Sequence, residues 1–342
     1  MNLTDEIVQI VGDSIPIEEA RPPELVSGDA SAFVSNSPTT DSLLLLHNLE
    51  DVGGETGFVE KALLVAEDSK FVLNELKFYV YLGEFVSGID GLRCPRSLAV
   101  RVDEASSTVT LRMSFESGSH VIRSQDEKLN AVRAFARFAS AEPPGAENGL
   151  DWVPKRSNGF GHPSALPSVQ NLDRLLTELG ANDVVADIAE LYQAPRAAQS
   201  AYTASPRVLC HGDANHENIR ACADGTTTLA VDWARIRWGS VGEDAARLAQ
   251  PWLIFESEGN VAEVAETLKR SFMSELSPEH SRYADEIRGC YEVRTVAASV
   301  ALAAHYGTWI KGCKDDALRE YRALRVVDWL SYVSRLARSH HE

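Results

Sequence analysis

The sequence predicts an α+β protein of two lobes, a small sheet carrying one main helix followed by a larger, mainly helical part. Three observations predict it. The chain has 342 residues, beyond the length at which one hydrophobic core keeps growing, so two substructures are expected. Runs of strand character are concentrated in residues 1–115. Helical periodicity dominates from about residue 125 onward.

After a short N-terminal helix, strand-like runs fall at Ser42–Leu46, Gly57–Val65, Ser97–Val102 and Thr108–Met113, separated by turn-rich segments. Between the second and third lies a helical stretch, Asp68–Val86. Its Phe71, Val72, Leu76, Tyr79, Leu82 and Val86 recur at helical spacing and predict one face laid on the sheet. Downstream, Asp126–Ala141, Val169–Leu179, Val184–Tyr192, Val261–Ser274, Pro278–His305 and Asp315–Ser339 carry apolar residues three or four apart and predict helices. The segment Glu142–Pro167, rich in Pro, Gly, Ser and Asn, reads as a surface loop. Two β-like runs, Arg207–Cys210 and Thr226–Val231, interrupt the helical part and read as a hairpin-like insertion.

A net charge of -17 argues against a nucleic-acid partner, which needs a basic face to displace counterions. The same acidity attracts cationic small molecules, and it also serves solubility alone. Five cysteines without a C-x-x-C pair fit neither a disulfide framework nor a zinc ribbon and point to a reducing cytoplasmic location. The acidic start and the absence of an apolar run of ~20 residues predict neither a secretory signal nor a membrane span. No G-x-x-x-x-G-K-[ST] loop occurs, and Gly159-Phe160-Gly161 lacks the flanking strand and helix of a dinucleotide site.

The chemistry concentrates in His211-Gly212-Asp213-Ala214-Asn215-His216-Glu217-Asn218 and in Asp232. Phosphoryl transfer needs an aspartate that accepts or orients the proton of an attacking hydroxyl. It also needs hard oxygen donors, such as an amide oxygen and a second carboxylate, to hold Mg²⁺ against a triphosphate. Asp213, Asn218 and Asp232 supply these types in that order.

With their apolar lead-in Val208-Leu209-Cys210, these segments resemble the catalytic loop H-G-D-x-x-x-x-N and the following I-D-[WF] strand of the aminoglycoside phosphotransferase and choline kinase group. That group is a branch of the protein-kinase-like fold. Gly239 to Leu248 is similar to its G-x-x-x-x-D-L-A segment, with Ala245 in place of the usual leucine. The resemblance extends over about residues 25 to 250. It implies a small antiparallel-sheet lobe at 1–115 that binds nucleotide, and a larger mainly helical lobe at 116–342 for catalysis and acceptor binding.

It further implies that Asp213 is the catalytic aspartate, that Asn218 and Asp232 hold Mg²⁺, and that ATP or GTP is the phosphoryl donor. Phe58-Val59-Glu60-Lys61-Ala62-Leu63 resembles the third strand of a kinase small lobe. Lys61 is then implied on the nucleotide phosphates, with Glu75 as its ion-pair partner. Ser27-Gly28-Asp29-Ala30-Ser31 resembles the phosphate-covering loop, implicating Ser27, Gly28 and Ser31. Thr108–Glu116 has the look of the last strand and hinge. Asp244 is implied as the acid that steadies the catalytic loop, and His211 as a packed histidine without a chemical role.

The acceptor is expected to be a hydroxyl of a small molecule, aminoglycoside-like or otherwise amine-containing. Two alternatives stand beside it: a kinase acting on Ser or Thr of a ribosomal peptide, and a non-catalytic kinase-like regulator. At individual residues the plainer readings also stand. His211, Asp213 and His216 form a zinc-like string. Lys61 and Glu75 suit a solvated lysine and acid. Arg235 and Arg237, at alternate positions, share a strand face that points either to phosphate or to a salt-bridged strand end. Trp233 reads as packing rather than as a stacking platform.

Overall fold

A computed structural model of the protein describes residues 2–18, 31–34, 42–47, 58–64, 70–114, 116, 119–145, 150–155, 166–180, 200, 203–249 and 259–339. The expected helix Val184–Tyr192 and much of the expected loop Glu142–Pro167 lie outside the described residues. The chain divides into two compact units. One is formed by Met1–His120, Glu142–Val153 and Arg220–Ile236, the other by Val121–Ala141, Pro154–Ile219 and Arg237–Glu342.

In the first unit, helix α1 (Leu3–Val11) precedes strands β1 (Ile17–Glu18), β2 (Ser31–Val34), β3 (Ser42–His47), β4 (Phe58–Leu64), β6 (Ser97–Asp103) and β7 (Thr108–Ser114), which form a sheet in the order β1-β6-β7-β4-β3-β2. The four runs expected from the sequence are β3, β4, β6 and β7, and these pair antiparallel. Edge strand β1, not expected, pairs parallel to β6. Alternation in β7 sends Val109 (0% exposed), Leu111 (0%) and Met113 (6%) to one buried face, as a half-buried strand requires. The β6–β7 turn is set by Asp103, whose Oδ1 accepts from the N–H groups of Ala105 at 3.0 Å and Ser106 at 3.3 Å, the local bonding that favours aspartate in turns.

The main helix of this unit is α2 (Lys70–Tyr81), followed by the short α3 (Gly83–Ser87). Leu76, Tyr79, Leu82 and Val86 are buried, as the spacing predicts, and so is Phe78. A second, four-stranded sheet has the order β5-β11-β10-β8, from Leu92–Arg93 (β5), His120–Val121 (β8), Ile219–Ala221 (β10) and Thr228–Ala230 (β11).

The second unit is mainly helical. Helix α4 (Gln125–Ser140) begins with a capping box: Glu127 N–H donates to Ser124 Oγ at 3.1 Å while Glu127 Oε2 accepts from Ser124 N–H at 3.0 Å. Two otherwise orphaned helix-start donors are satisfied reciprocally. Ser124→Ala is expected to destabilise this unit by about 1 kcal/mol, measured as a lowered urea midpoint. Helices α5 (Leu166–Glu178), Val261–Glu275 and Asp316–Arg338 match the expected positions. The single helix expected at Pro278–His305 is instead Pro278–Ser281, Ala284–Ala301 and Ala303–Lys311. Apolar spacing runs through the breaks, but Tyr283 leaves helical geometry at φ -110, ψ 30, and the second break falls at Leu302.

The insertion is also built differently from a hairpin of Arg207–Cys210 with Thr226–Val231. Strand β9 (Arg207–Cys210) pairs antiparallel with β12 (Arg237–Ser240), whereas β11 belongs to the four-stranded sheet of the first unit. All five cysteines are buried free thiols. Among the described residues no helix is long and apolar enough to cross a membrane.

Candidate functional site

In the first unit the sheet and α2 bring together three of the expected residues. Lys61 stands on β4, Glu75 on α2, and Asp232 two residues after the end of β11. The Lys61 ammonium donates to Glu75 Oε2 at 2.8 Å and to Asp232 Oδ1 at 2.9 Å. Glu75 is fully buried and Lys61 nearly so, while the Asp232 side chain is 43% exposed. The solvated-surface reading of Lys61 and Glu75 is thereby excluded.

Packing explains how the three meet. Phe78, one turn along α2 from Glu75, stacks on Trp233 with ring centroids 4.1 Å apart and an interplanar angle of 5°. Trp233 is fully buried, and its Nε1–H donates to Ala230 O at 3.0 Å. The stacked pair therefore clamps the Glu75 helix against the turn that carries Asp232, and the expectation that Trp233 packs is met. Asp232 itself is in the left-handed region at φ 61, ψ 66, uncommon for a non-glycine residue and found where a side chain must be held at a set angle.

The charges reinforce one another. Burial works against the charge on Lys61, but Glu75 and then Asp232 more than offset it and hold the ammonium above its ordinary value. Burial pushes the Glu75 carboxyl up, and Lys61 draws it part of the way back. The triad thus presents a firmly protonated lysine beside a half-exposed carboxylate.

In the second unit the loop His211–Asn218 leaves β9 and is held by hydrogen bonds to its backbone and side chains. Gly212 takes φ +81, which glycine accommodates without strain. Asp244 Oδ2 accepts from His211 N–H at 2.6 Å and its Oδ1 from Gly212 N–H at 3.0 Å. Asp213 N–H donates to His211 Nδ1 at 3.2 Å. His211 is fully buried, which fits the packed role.

Asn215 Oδ1 accepts from Glu217 N–H at 2.8 Å and Asn218 N–H at 3.1 Å, closing a side-chain-mediated turn. Asn218 Nδ2 donates to Asp213 O at 3.0 Å. With its amide nitrogen so committed, Asn218 has its side-chain oxygen left as a donor to a cation. Asp213 and Asn218 are therefore brought together by one hydrogen-bonded loop.

Arg235 and Arg237 do not share a face. A 3₁₀ turn at Trp233–Arg235 interrupts the alternation, leaving Arg235 exposed and Arg237 buried. Arg237 donates through Nη1 to Gly212 O at 2.8 Å and pairs through Nη2 with buried Glu243, which Arg294 also engages. Its direction toward phosphate is overturned in favour of the salt-bridged reading. Gly239, between these groups, has no room for a methyl: a Cβ there would lie 2.6 Å from Cys210 Sγ and also overlap Glu243. Gly239→Ala is expected to cost about 1–3 kcal/mol of stability through overpacking, read from thermal or urea unfolding.

One contact was not anticipated from the sequence. Arg247, on the helix Glu243–Leu248, donates through Nη2 to Asp213 Oδ1 at 2.5 Å. The only hint is its place three residues after Asp244. Ser27 and Gly28 lie outside the described residues; Ser31 opens β2, and its side chain is outside them.

Residues 65–285 match the model of a family described as the phosphotransferase enzyme family, a span that begins just after Lys61. No curated protein matches the chain. The chain is similar to a solved aminoglycoside phosphotransferase from Alicyclobacillus acidocaldarius, with 11% identity and TM-score 0.50, over 91% of this chain and 92% of that one. It is also similar to a variant of aminoglycoside 2'-phosphotransferase IIIa solved as its GDP complex, with 14% identity and TM-score 0.50, over 99% and 96%. A choline/ethanolamine kinase family protein from Mesorhizobium loti has 16% identity and TM-score 0.49, over 98% and 99%. For the two with TM-score 0.50 the likeness is one of fold, the α+β protein-kinase-like fold expected from the sequence.

Proposed function

The chain belongs to the phosphotransferase enzyme family, and from that membership we propose that it transfers the terminal phosphoryl group of ATP or GTP to a hydroxyl of a small molecule. The observation that carries this reading is the buried Lys61 ammonium held between Glu75 and Asp232. A lysine fixed in this way is a preorganised point charge for nucleotide phosphates. In this reading residues 1–115 bind the nucleotide, with Ser27, Gly28 and Ser31 over its phosphates, and residues 116–342 carry catalysis and the acceptor.

Asp213 receives or orients the proton of the acceptor hydroxyl, and Asn218 and Asp232 are the Mg²⁺ ligands. The donor chemistry supports the metal: an amide oxygen whose nitrogen is already engaged by Asp213 O, and a half-exposed carboxylate, are the hard oxygens that Mg²⁺ prefers. When bound, the ion neutralises charge on the phosphates. Catalysis by the chain itself is positioning: Lys61 fixes the donor, and the anchored loop fixes Asp213.

The net charge of -17 and the names of the structural neighbours, which include aminoglycoside phosphotransferases, favour an amine-bearing acceptor. The test is Mg²⁺-dependent consumption of ATP and of GTP with a panel of aminoglycosides, amines, sugars and peptides, using Asp213→Asn as the blank. Acceptor-stimulated turnover by one of the amine-bearing hydroxyl compounds is expected. Stimulation by a Ser- or Thr-containing peptide alone would replace the small-molecule reading.

A further inference from the structure

We infer that Arg247 is a positioning residue for the phosphoryl-transfer step, selecting the side-chain orientation of Asp213 while other groups hold the loop backbone. The inference rests on the proposed role of Asp213. It follows from how the contacts at residue 213 are divided. The Asp213 N–H is taken by His211 Nδ1 and its carbonyl by Asn218 Nδ2. The two preceding backbone N–H groups are taken by Asp244, and the Gly212 carbonyl by Arg237. These bonds hold the backbone of the loop.

Arg247 reaches that carboxylate, at Oδ1, with both side chains partly buried, 28% and 18% exposed. Its Nε is buried without a hydrogen-bond partner among the described residues, so nothing holds the guanidinium through that atom. The helix Glu243–Leu248 thereby serves the loop from three positions. Glu243 holds the Arg237 that bonds Gly212 O, Asp244 holds two backbone donors, and Arg247 holds the reacting side chain. A charge-assisted bond in a partly desolvated setting restricts rotation of the carboxylate more than a neutral one does. Removing that bond gives the carboxylate more rotational freedom and weakens its alignment with the acceptor.

The test compares Arg247→Ala, Arg247→Lys and wild type by two measurements. In steady-state kinetics with Mg²⁺ and the best acceptor of the panel, Arg247→Ala is expected to lower kcat on the order of 10²-fold, the scale of a misplaced reacting group, with the nucleotide KM unchanged. Arg247→Lys is expected to recover part of kcat, since it keeps the charge but not the fork.

The second measurement needs no turnover. Three-bond carbon couplings of ¹³C,¹⁵N-aspartate-labelled protein, with the signal assigned by its loss in Asp213→Asn, are expected to show one χ1 rotamer in wild type and averaging in Arg247→Ala. The lysine variant should lie between. Unchanged couplings in Arg247→Ala overturn the inference, as does an equal fall of kcat in both Arg247 variants with Asp213 still in one rotamer. A wild type that turns over no acceptor sinks the phosphotransfer reading instead, and the couplings still decide whether Arg247 orients Asp213.

Discussion

Asp213→Ala is expected to lower turnover by roughly 10²–10⁴, the range for removing a positioned general base, while leaving nucleotide affinity near that of wild type. The separation follows from the structure. Asp213 sits on a loop whose backbone is anchored by Asp244, His211 and Asn218, so truncating its side chain leaves the main-chain bonds in place. Lys61, Glu75 and Asp232 form their ion pairs within the other unit. Steady-state kinetics with nucleotide as the varied substrate checks it. A variant with wild-type kcat would remove Asp213 from the reaction.

Lys61→Met is expected to damage both activity and stability. Loss of the ammonium removes the proposed phosphate contact and leaves Glu75, fully buried, without its ion partner. Stranding a buried charge in this way typically costs about 3–5 kcal/mol, and among the described residues Glu75 Oε1 has no hydrogen-bond partner that would compensate. Because the loss arises from the stranded carboxylate, adding Glu75→Gln to Lys61→Met is expected to restore part of the stability and none of the activity. Urea unfolding of the two single variants and the double variant checks the coupling. Additive destabilisation would show that the pair does not interact as its geometry indicates.

Much of the fold and of the site was legible in the sequence because each rests on a local signal. The strands β3, β4, β6 and β7 lie between clear turn signals, and α2 shows its buried face at helical spacing. Lys61, Glu75 and Asp232 could be named from their places in a strand, a helix and a strand end, and they meet in one triad.

What was not legible depends on partners far apart in the chain. The pairing of β9 with β12 rather than with the Thr226–Val231 run is set by tertiary register, which period-two patterning does not encode. The divergence of Arg235 and Arg237 comes from a single 3₁₀ turn that breaks the alternation. Arg247 meets Asp213 across 34 residues of sequence, and only its place three residues after Asp244 distinguishes it from a solvated helix arginine. The breaks at Tyr283 and Leu302 fall inside an uninterrupted apolar pattern, which does not mark them.

The central claim is that Asp232 serves the metal and Asp213 the acceptor. Its most direct test is Mn²⁺ binding, followed by electron paramagnetic resonance with a non-hydrolysable ATP analogue, in wild type, Asp232→Asn and Asp213→Asn. Asp232→Asn is expected to lose the nucleotide-dependent Mn²⁺ site together with turnover, and Asp213→Asn to keep the site and lose turnover. Retention of both the metal site and turnover in Asp232→Asn, or loss of the metal site in Asp213→Asn, would contradict the division of roles.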